Sequence, residues 1–209
     1  MDYDESTGIL TIDVGLGLNG TETVKYVGVD NTGIQYSNGY FTFNASKSPS
    51  LVSIPNLQQR VAYLSDVKPS GTAGGTATAG VYQTRTLNTL VDNTGFVASL
   101  ASNQFTLPAG TYDIYATAPA SCCNSHKIKL RNTTDSSDSL MGSVAYFNAS
   151  SGFYGQTDSV IRGTISISNQ KTFEIQHRVE TTRNTDGLGG GTSFGDNNVF
   201  TQVAITKIK

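Results

Sequence analysis

The segment Asn198–Ile208, Asn-Val-Phe-Thr-Gln-Val-Ala-Ile-Thr-Lys-Ile, alternates residue by residue, and a period of two describes an extended strand whose successive side chains point to opposite faces. One parity carries Val199, Thr201, Val203 and Ile205; the other carries Phe200, Gln202, Ala204, Thr206 and Ile208. The first reads as a core face. The second is mixed and small, and does not read as fully solvated. Such a strand has two neighbours to satisfy, the second sheet of its own domain and a further copy of the chain.

The rest of the chain repeats the same chemistry. No segment shows the i, i+3, i+4, i+7 apolar spacing of an amphipathic helix, while 22 Gly, ten Tyr, nine Phe and abundant Thr, Ser and Asn suit short strands joined by turns. An all-β fold is expected. A net charge of -2 supplies no basic footprint for nucleic acid, and no run approaches the roughly 20 apolar residues of a membrane span. The start Met1-Asp-Tyr-Asp-Glu-Ser lacks the basic and apolar regions of a secretory signal. Nucleic acid and membrane insertion are therefore not expected.

Composition divides the chain into three. Residues 1–68 hold short strand-like pieces, Ile9–Val14, Thr23–Val29, Gly33–Tyr36 and Tyr40–Phe43, with Asn38-Gly39 as a hairpin signal. These pieces are too thin for a core of their own and are expected to form a β shaft shared between chains. Pro55 followed by Gln58–Leu64 suggests one or two helical turns. Residues 69–80, Pro-Ser-Gly-Thr-Ala-Gly-Gly-Thr-Ala-Thr-Ala-Gly, have linker chemistry, free of charge and bulk. Residues 81–209 carry eight cleaner strands: Val81–Asp92, Gln104–Leu107, Tyr112–Ala118, Ile128–Leu130, Leu140–Phe147, Ile161–Ile167, Phe173–Val179 and the closing segment. Eight strands with closely spaced turns indicate a sandwich or jelly roll.

The phrase Phe105-Thr-Leu-Pro-Ala-Gly-Thr-Tyr-Asp-Ile114, with Phe173-Glu-Ile-Gln-His-Arg178 and Thr201-Gln-Val-Ala-Ile-Thr-Lys-Ile208, resembles the C-terminal domains of bacteriophage tail fibres. Those domains in turn look like the trimeric jelly rolls of the complement globular-head and tumour-necrosis-factor families. Upstream, Thr32–Phe43, Ser53-Ile-Pro55 and Val61–Asp66 resemble the shaft segments that precede fibre heads. The resemblance implies a homotrimer on a virion, joined to other tail proteins through its N-terminal side and binding a bacterial surface glycan or protein. It carries no invariant catalytic motif, and a jelly roll hosts unrelated functions.

Few residues suggest reaction chemistry. His177 lies on the apolar parity between Ile175 and Val179, and reads as a hydrogen-bonded core or interface residue. Glu174, Arg178 and Glu180 share the other parity; the two carboxylates, six residues apart along a strand, stand about 20 Å from each other, beyond either hydrolytic geometry. No Ser elbow, His-Glu-x-x-His or phosphate-binding Gly loop is present. Asp135–Asp138 and Asp186–Asp196 place carboxylates in loops without matching a calcium loop. Adjacent Cys122 and Cys123 are expected as thiols, since a disulfide between neighbours closes a strained ring. No metal and no cofactor are expected.

If successive strands run in opposite directions, the loops Ala120–Ser125, Asn148–Gln156 and Thr182–Asn198 share one end, and Asn132–Asp138 with Ser168–Gln170 the other. The first group supplies the candidate receptor-binding residues Asn124, Phe153, Tyr154, Asn184, Asp186, Phe194, Asp196 and Asn197, stacking faces beside adaptable hydrogen-bond groups. Phe200, Gln202, Ala204 and His177 are the candidates for trimer interface or core. A structural virion trimer without a receptor, and a surface-polysaccharide hydrolase, are the alternatives.

Overall fold

The computed structural model describes residues 60–150 and 154–208 in full and, before them, the backbone of five short strands between Asp2 and Phe43. Two compact units divide the chain at Gln58 and Gln59. In the first, β1 (Asp2–Asp4), β2 (Ile9–Asp13) and β3 (Thr23–Tyr26) form an antiparallel sheet in that order, and β4 (Ile34–Ser37) pairs with β5 (Tyr40–Phe43). Ser37 faces Tyr40 across the pair, and the Asn38-Gly39 signal between them lies outside the described residues.

The second unit is a sandwich of two antiparallel sheets. Its strands are β6 (Arg60–Lys68), β7 (Gln83–Thr84), β8 (Thr89–Asp92), β9 (Ser99–Ala101), β10 (Gln104–Leu107), β11 (Gly110–Ser121), β12 (Asn124–Asn132), β13 (Ser137–Met141), β14 (Ala145–Phe147), β15 (Gln156–Ile167), β16 (Lys171–Val179) and β17 (Asn198–Lys207). The front sheet has the order β15-β11-β17-β6-β8; the back sheet has β13-β12-β16-β10-β9, with β14 added to β12 and β7 to β16. From β10 to β12, and again from β14 to β17, each successive strand crosses to the opposite sheet. That alternation is the winding of a jelly roll.

The period of two explains the interior. Tyr112, Ile114 and Ala116 of β11, Ile161 of β15, Val203 and Ile205 of β17, and Ala62 and Leu64 of β6 face Phe105, Leu107, Ile128, Leu130, Phe173 and Ile175 of the back sheet. All are at most 1% exposed. Each large side chain of this set contributes about 1.5–3 kcal/mol by leaving water. Phe105 and Phe173, in direct register, stack at 5.8 Å. Tyr112 is admitted to the core because its hydroxyl donates to Pro108 O at 2.8 Å.

Four sequence expectations change. The helical turns expected to reach Leu64 are strand from Arg60 onward, because Ala62 and Leu64 go inward while Tyr63 and Ser65 go outward. With β6 held between β17 and β8, residues 60–68 belong to the sandwich, and the unit boundary lies before them instead of at residues 69–80. The single strand expected over Val81–Asp92 is broken into β7 on the back sheet and β8 on the front, with buried Leu87 between them and Val81 and Val91 exposed. Finally, β17 bulges. Three steps from Val199 to Gln202 match two from Val67 to Ser65 on β6, so the parity slips. Val199 turns out, 48% exposed, and Phe200 turns in, 4% exposed.

Candidate functional site

The strand directions bring three loops to one end of the sandwich, as the alternation implies. Ser121 N donates to Gly187 O (3.1 Å), Cys122 N to Gly155 O (3.0 Å) and Thr181 N to Cys123 O (3.0 Å). A fourth segment, expected as a linker, joins them: Gly71 N donates to Thr192 O (2.7 Å), Gly74 N to Gly189 O (2.8 Å), and Ala77 and Arg183 exchange backbone bonds at 2.9 Å. Its small residues are contact chemistry. A Cβ on Gly74 would lie 2.3 Å from Leu188 O, so the two backbones meet only where side chains are absent. Asn198 staples the same pair, accepting from Thr192 N (3.1 Å) and donating to Thr72 O (3.1 Å).

On this tip stands a built cluster. Arg183 grips Asp186 through two bonds, Nε to Oδ1 at 2.7 Å and Nη2 to Oδ2 at 2.9 Å. The Tyr154 hydroxyl donates to Asp186 Oδ2 at 3.2 Å, and the guanidinium carbon lies 5.4 Å from the Tyr154 ring centre. Bonding to Arg183 holds the Asp186 carboxyl below the usual carboxylate range, and Asp186 in turn raises Arg183. Tyr154 is thereby fixed in orientation while 60% exposed, a ring oriented before any ligand arrives. Phe194, 84% exposed, stands on the same loop region beside exposed Asp196 and Asn197.

The remaining candidates separate. Asn124 is a brace: its amide donates to Thr181 Oγ1 and its oxygen accepts from Ala149 N, both at 2.8 Å, so the side chain is committed within the tip. Asn184 is exposed, and its carbonyl accepts from Asp186 N. Phe153 lies outside the described residues. Sequence reasoning passed over Arg183, although an opposite charge three residues before Asp186 was a visible signal. It also passed over Gln156, whose Oε1 accepts from Ser121 Oγ (3.0 Å) and Gly190 N (2.8 Å).

Behind the tip lies a buried polar group. Arg85 is 1% exposed and donates to Thr201 Oγ1 (2.7 Å), Leu188 O (2.8 Å) and Pro119 O (3.3 Å), tying the 182–197 loop to both sheets; burial lowers its pKa to about 10. His177 is 1% exposed, inside the sandwich. Its Nε2 meets Nδ1 of His126 at 2.9 Å, and His126 Nε2 meets Thr157 Oγ1 at 2.9 Å. Burial, then the nearby Arg85 charge, lowers His126 to about 4 and holds His177 well below its ordinary value. Nδ1 of His177 has no hydrogen-bond partner among the described residues. Cys122 and Cys123 are buried and remain thiols, and burial pushes Cys123 up to about 11, which leaves it a poor nucleophile.

No metal-binding group of three acidic, His or Cys side chains occurs among the described residues. Asp135 instead pairs with Lys171, and Asp138 with Lys129 and Arg131. Gln202 and Ala204 stand on the outward face of the front sheet, while Phe200 and His177 are inside. There one row crosses all five strands: Val91, Tyr63, Ala204, Tyr115 and Arg162 are consecutive cross-strand partners. Val91 is 62%, Tyr63 58% and Tyr115 40% exposed.

No protein-family model matches this sequence, and no curated protein matches it. Solved structures with a similar course of chain include murine APRIL at pH 5.0, 6% identical over 72% of this chain and 100% of that one, with a TM-score of 0.45. The globular domain of zebrafish complement 1qA protein is 12% identical over 73% of this chain and 98% of its own, also with a TM-score of 0.45.

Proposed function

We propose that the second unit is the receptor-binding head of a bacteriophage tail fibre, a homotrimer that attaches the virion to a bacterial surface glycan or protein through its tip. The observation that carries this reading is the oriented Tyr154. Four chain segments converge by backbone bonds on one end of the sandwich, and there an Arg183–Asp186 pair fixes an exposed ring, with the exposed Phe194 on the same 182–197 loop. An exposed aromatic held this way loses little freedom on binding, which is how a small contact area becomes a useful site. The head works by binding, without transforming its ligand.

Assembly is supported by the row from Val91 to Arg162. An outward sheet face that meets only water is largely polar, whereas this one sets two exposed tyrosines on either side of Ala204 at its centre and an exposed valine on its edge strand. The neighbours we assign to this face are a second and third copy of it, and the uncharged flanking residues Ser65, Gln202, Thr117 and Thr206 let identical surfaces meet without like-charge repulsion. Three linked tips then convert later contacts with a surface into intramolecular ones.

The test is inhibition of adsorption. The purified head should compete with virions for host cells, and Tyr154→Ala, which leaves the sandwich interior untouched, should reduce competition at least tenfold at unchanged oligomeric mass. Competition unchanged by Tyr154→Ala removes the tip from the function. Clean absence of competition by the unaltered head favours the structural virion trimer.

A further inference from the structure

Beside the tip, on the outward face of the back sheet, lies a cleft of about 480 Å³ that the attachment reading does not use. Its floor is the end of β12 and β16, with Ser125, Lys127, Arg178 and Glu180, and its rim includes Gly80 and Val144. Lys127 and Arg178 are direct cross-strand partners. Two like charges opposite each other on one face of a sheet repel and destabilise the pairing. Elsewhere on this sheet the cations are answered, Lys129 and Arg131 by Asp138 and Lys171 by Asp135. Among the described residues, Lys127 and Arg178 have no carboxylate partner, and the Arg178 guanidinium carbon lies 5.8 Å from the Tyr82 ring centre. Glu180, the nearest acid in the cleft, accepts from Ser125 N at 3.0 Å.

We propose that this cleft binds a saccharide through a single negative charge, a uronate carboxylate or a phosphodiester, held between Lys127 and Arg178. The stoichiometry of charge points there: two cations and one carboxylate leave a surplus of one, which a monoanion neutralises and a neutral sugar does not. The guanidinium of Arg178 presents parallel donors to a two-oxygen anion, with Lys127 as the second charge. The surroundings suit a sugar ring. Tyr146, in register with Ser125 and 57% exposed, offers a stacking face on the same side of the sheet, Val144 is 70% exposed on the rim, and Ser125 and Glu180 are partners for hydroxyls. This proposal rests on the attachment reading only in naming acidic surface polysaccharide as the ligand class; the facing cations favour an anion whatever presents it.

Calorimetric titration of the intact head decides it, with an oligogalacturonate hexamer, its methyl ester, and a glycerol-phosphate-linked oligosaccharide as probes. The expected result is binding of the hexamer or the phosphodiester, at least tenfold weaker binding of the uncharged ester, and the same loss for either anion in the Lys127→Gln/Arg178→Gln double variant. Which anion binds identifies the source. Because the double variant removes a repulsive pair, it should melt no lower than the unaltered head, so weaker binding is not a folding defect. Equal binding of acid and ester, undiminished binding by the double variant, or binding of none of the three overturns the proposal. Adsorption separates the two readings: a double variant that still blocks virions while Tyr154→Ala does not overturns the cleft and leaves the tip standing.

Discussion

The two sheets share one interior and present opposite exteriors. Outside the back sheet, Lys129 and Arg131 bind Asp138, Lys171 binds Asp135, and Glu174 accepts from Gln104 and Gln176. Outside the front sheet, the rows through Ser65, Tyr63 and Val61 consist of Val, Thr, Ser, Gln, Tyr and Ala, with Asp113 and Arg162 as their charged members. Interior alternation is demanded by folding alone, and both sheets obey it. The exterior is free to vary: it carries paired charges on the back sheet, and mostly uncharged side chains with two exposed tyrosines on the front.

Ways to break that contrast begin with the shared interior. Ile205→Asp places a charge at a position 0% exposed and should cost at least about 4 kcal/mol, abolishing the soluble head. An unchanged sedimentation profile would contradict the placement of β17 between the sheets. Next is the front exterior: Tyr63→Lys with Tyr115→Lys should convert trimer to folded monomer, read as a threefold fall in mass by light scattering with the β signature in circular dichroism intact. A head that is already monomeric at micromolar concentration refutes the neighbour assigned to that face.

Acid sharpens the comparison from within. His126 at about 4 and His177, also lowered, stay neutral in the folded head, while the unfolded chain takes up protons below about 6.5. Stability is therefore fully present above pH 6.5 and falls as pH drops towards 4, by at most about 1.4 kcal/mol per pH unit for each histidine. Urea midpoints across this range should show the slope, and His177→Gln should flatten it. The smallest effect belongs to the back exterior, where Asp138→Asn should cost about 0.2–1 kcal/mol and lose even that in high salt.

Much of this was legible in the sequence, for a local reason. A strand period is written in consecutive residues, so the burial of Phe173, Ile175, His177 and Val179 followed from their spacing, and the shared end of the three loops followed from the reversal of strand directions. The slip at Val199 and Phe200 was hidden because a bulge adds one residue without changing composition. Residues 69–80 misled because flexible linkers and tightly apposed backbones both select Gly, Ala and Thr. Arg85 gave no signal, since its partners at Thr201, Leu188 and Pro119 lie far along the chain. The braces of the tip, Gln156 and Asn198, were unreadable for the same reason.

The position of β6 has a mechanical consequence. The strand begins at Arg60 opposite Lys207 and reaches the tip at Lys68 beside Asn198, with ladders to β17 and β8 on its flanks. A pull on Arg60 along the axis of β6 would load the hydrogen bonds set across that axis together instead of unzipping them in turn.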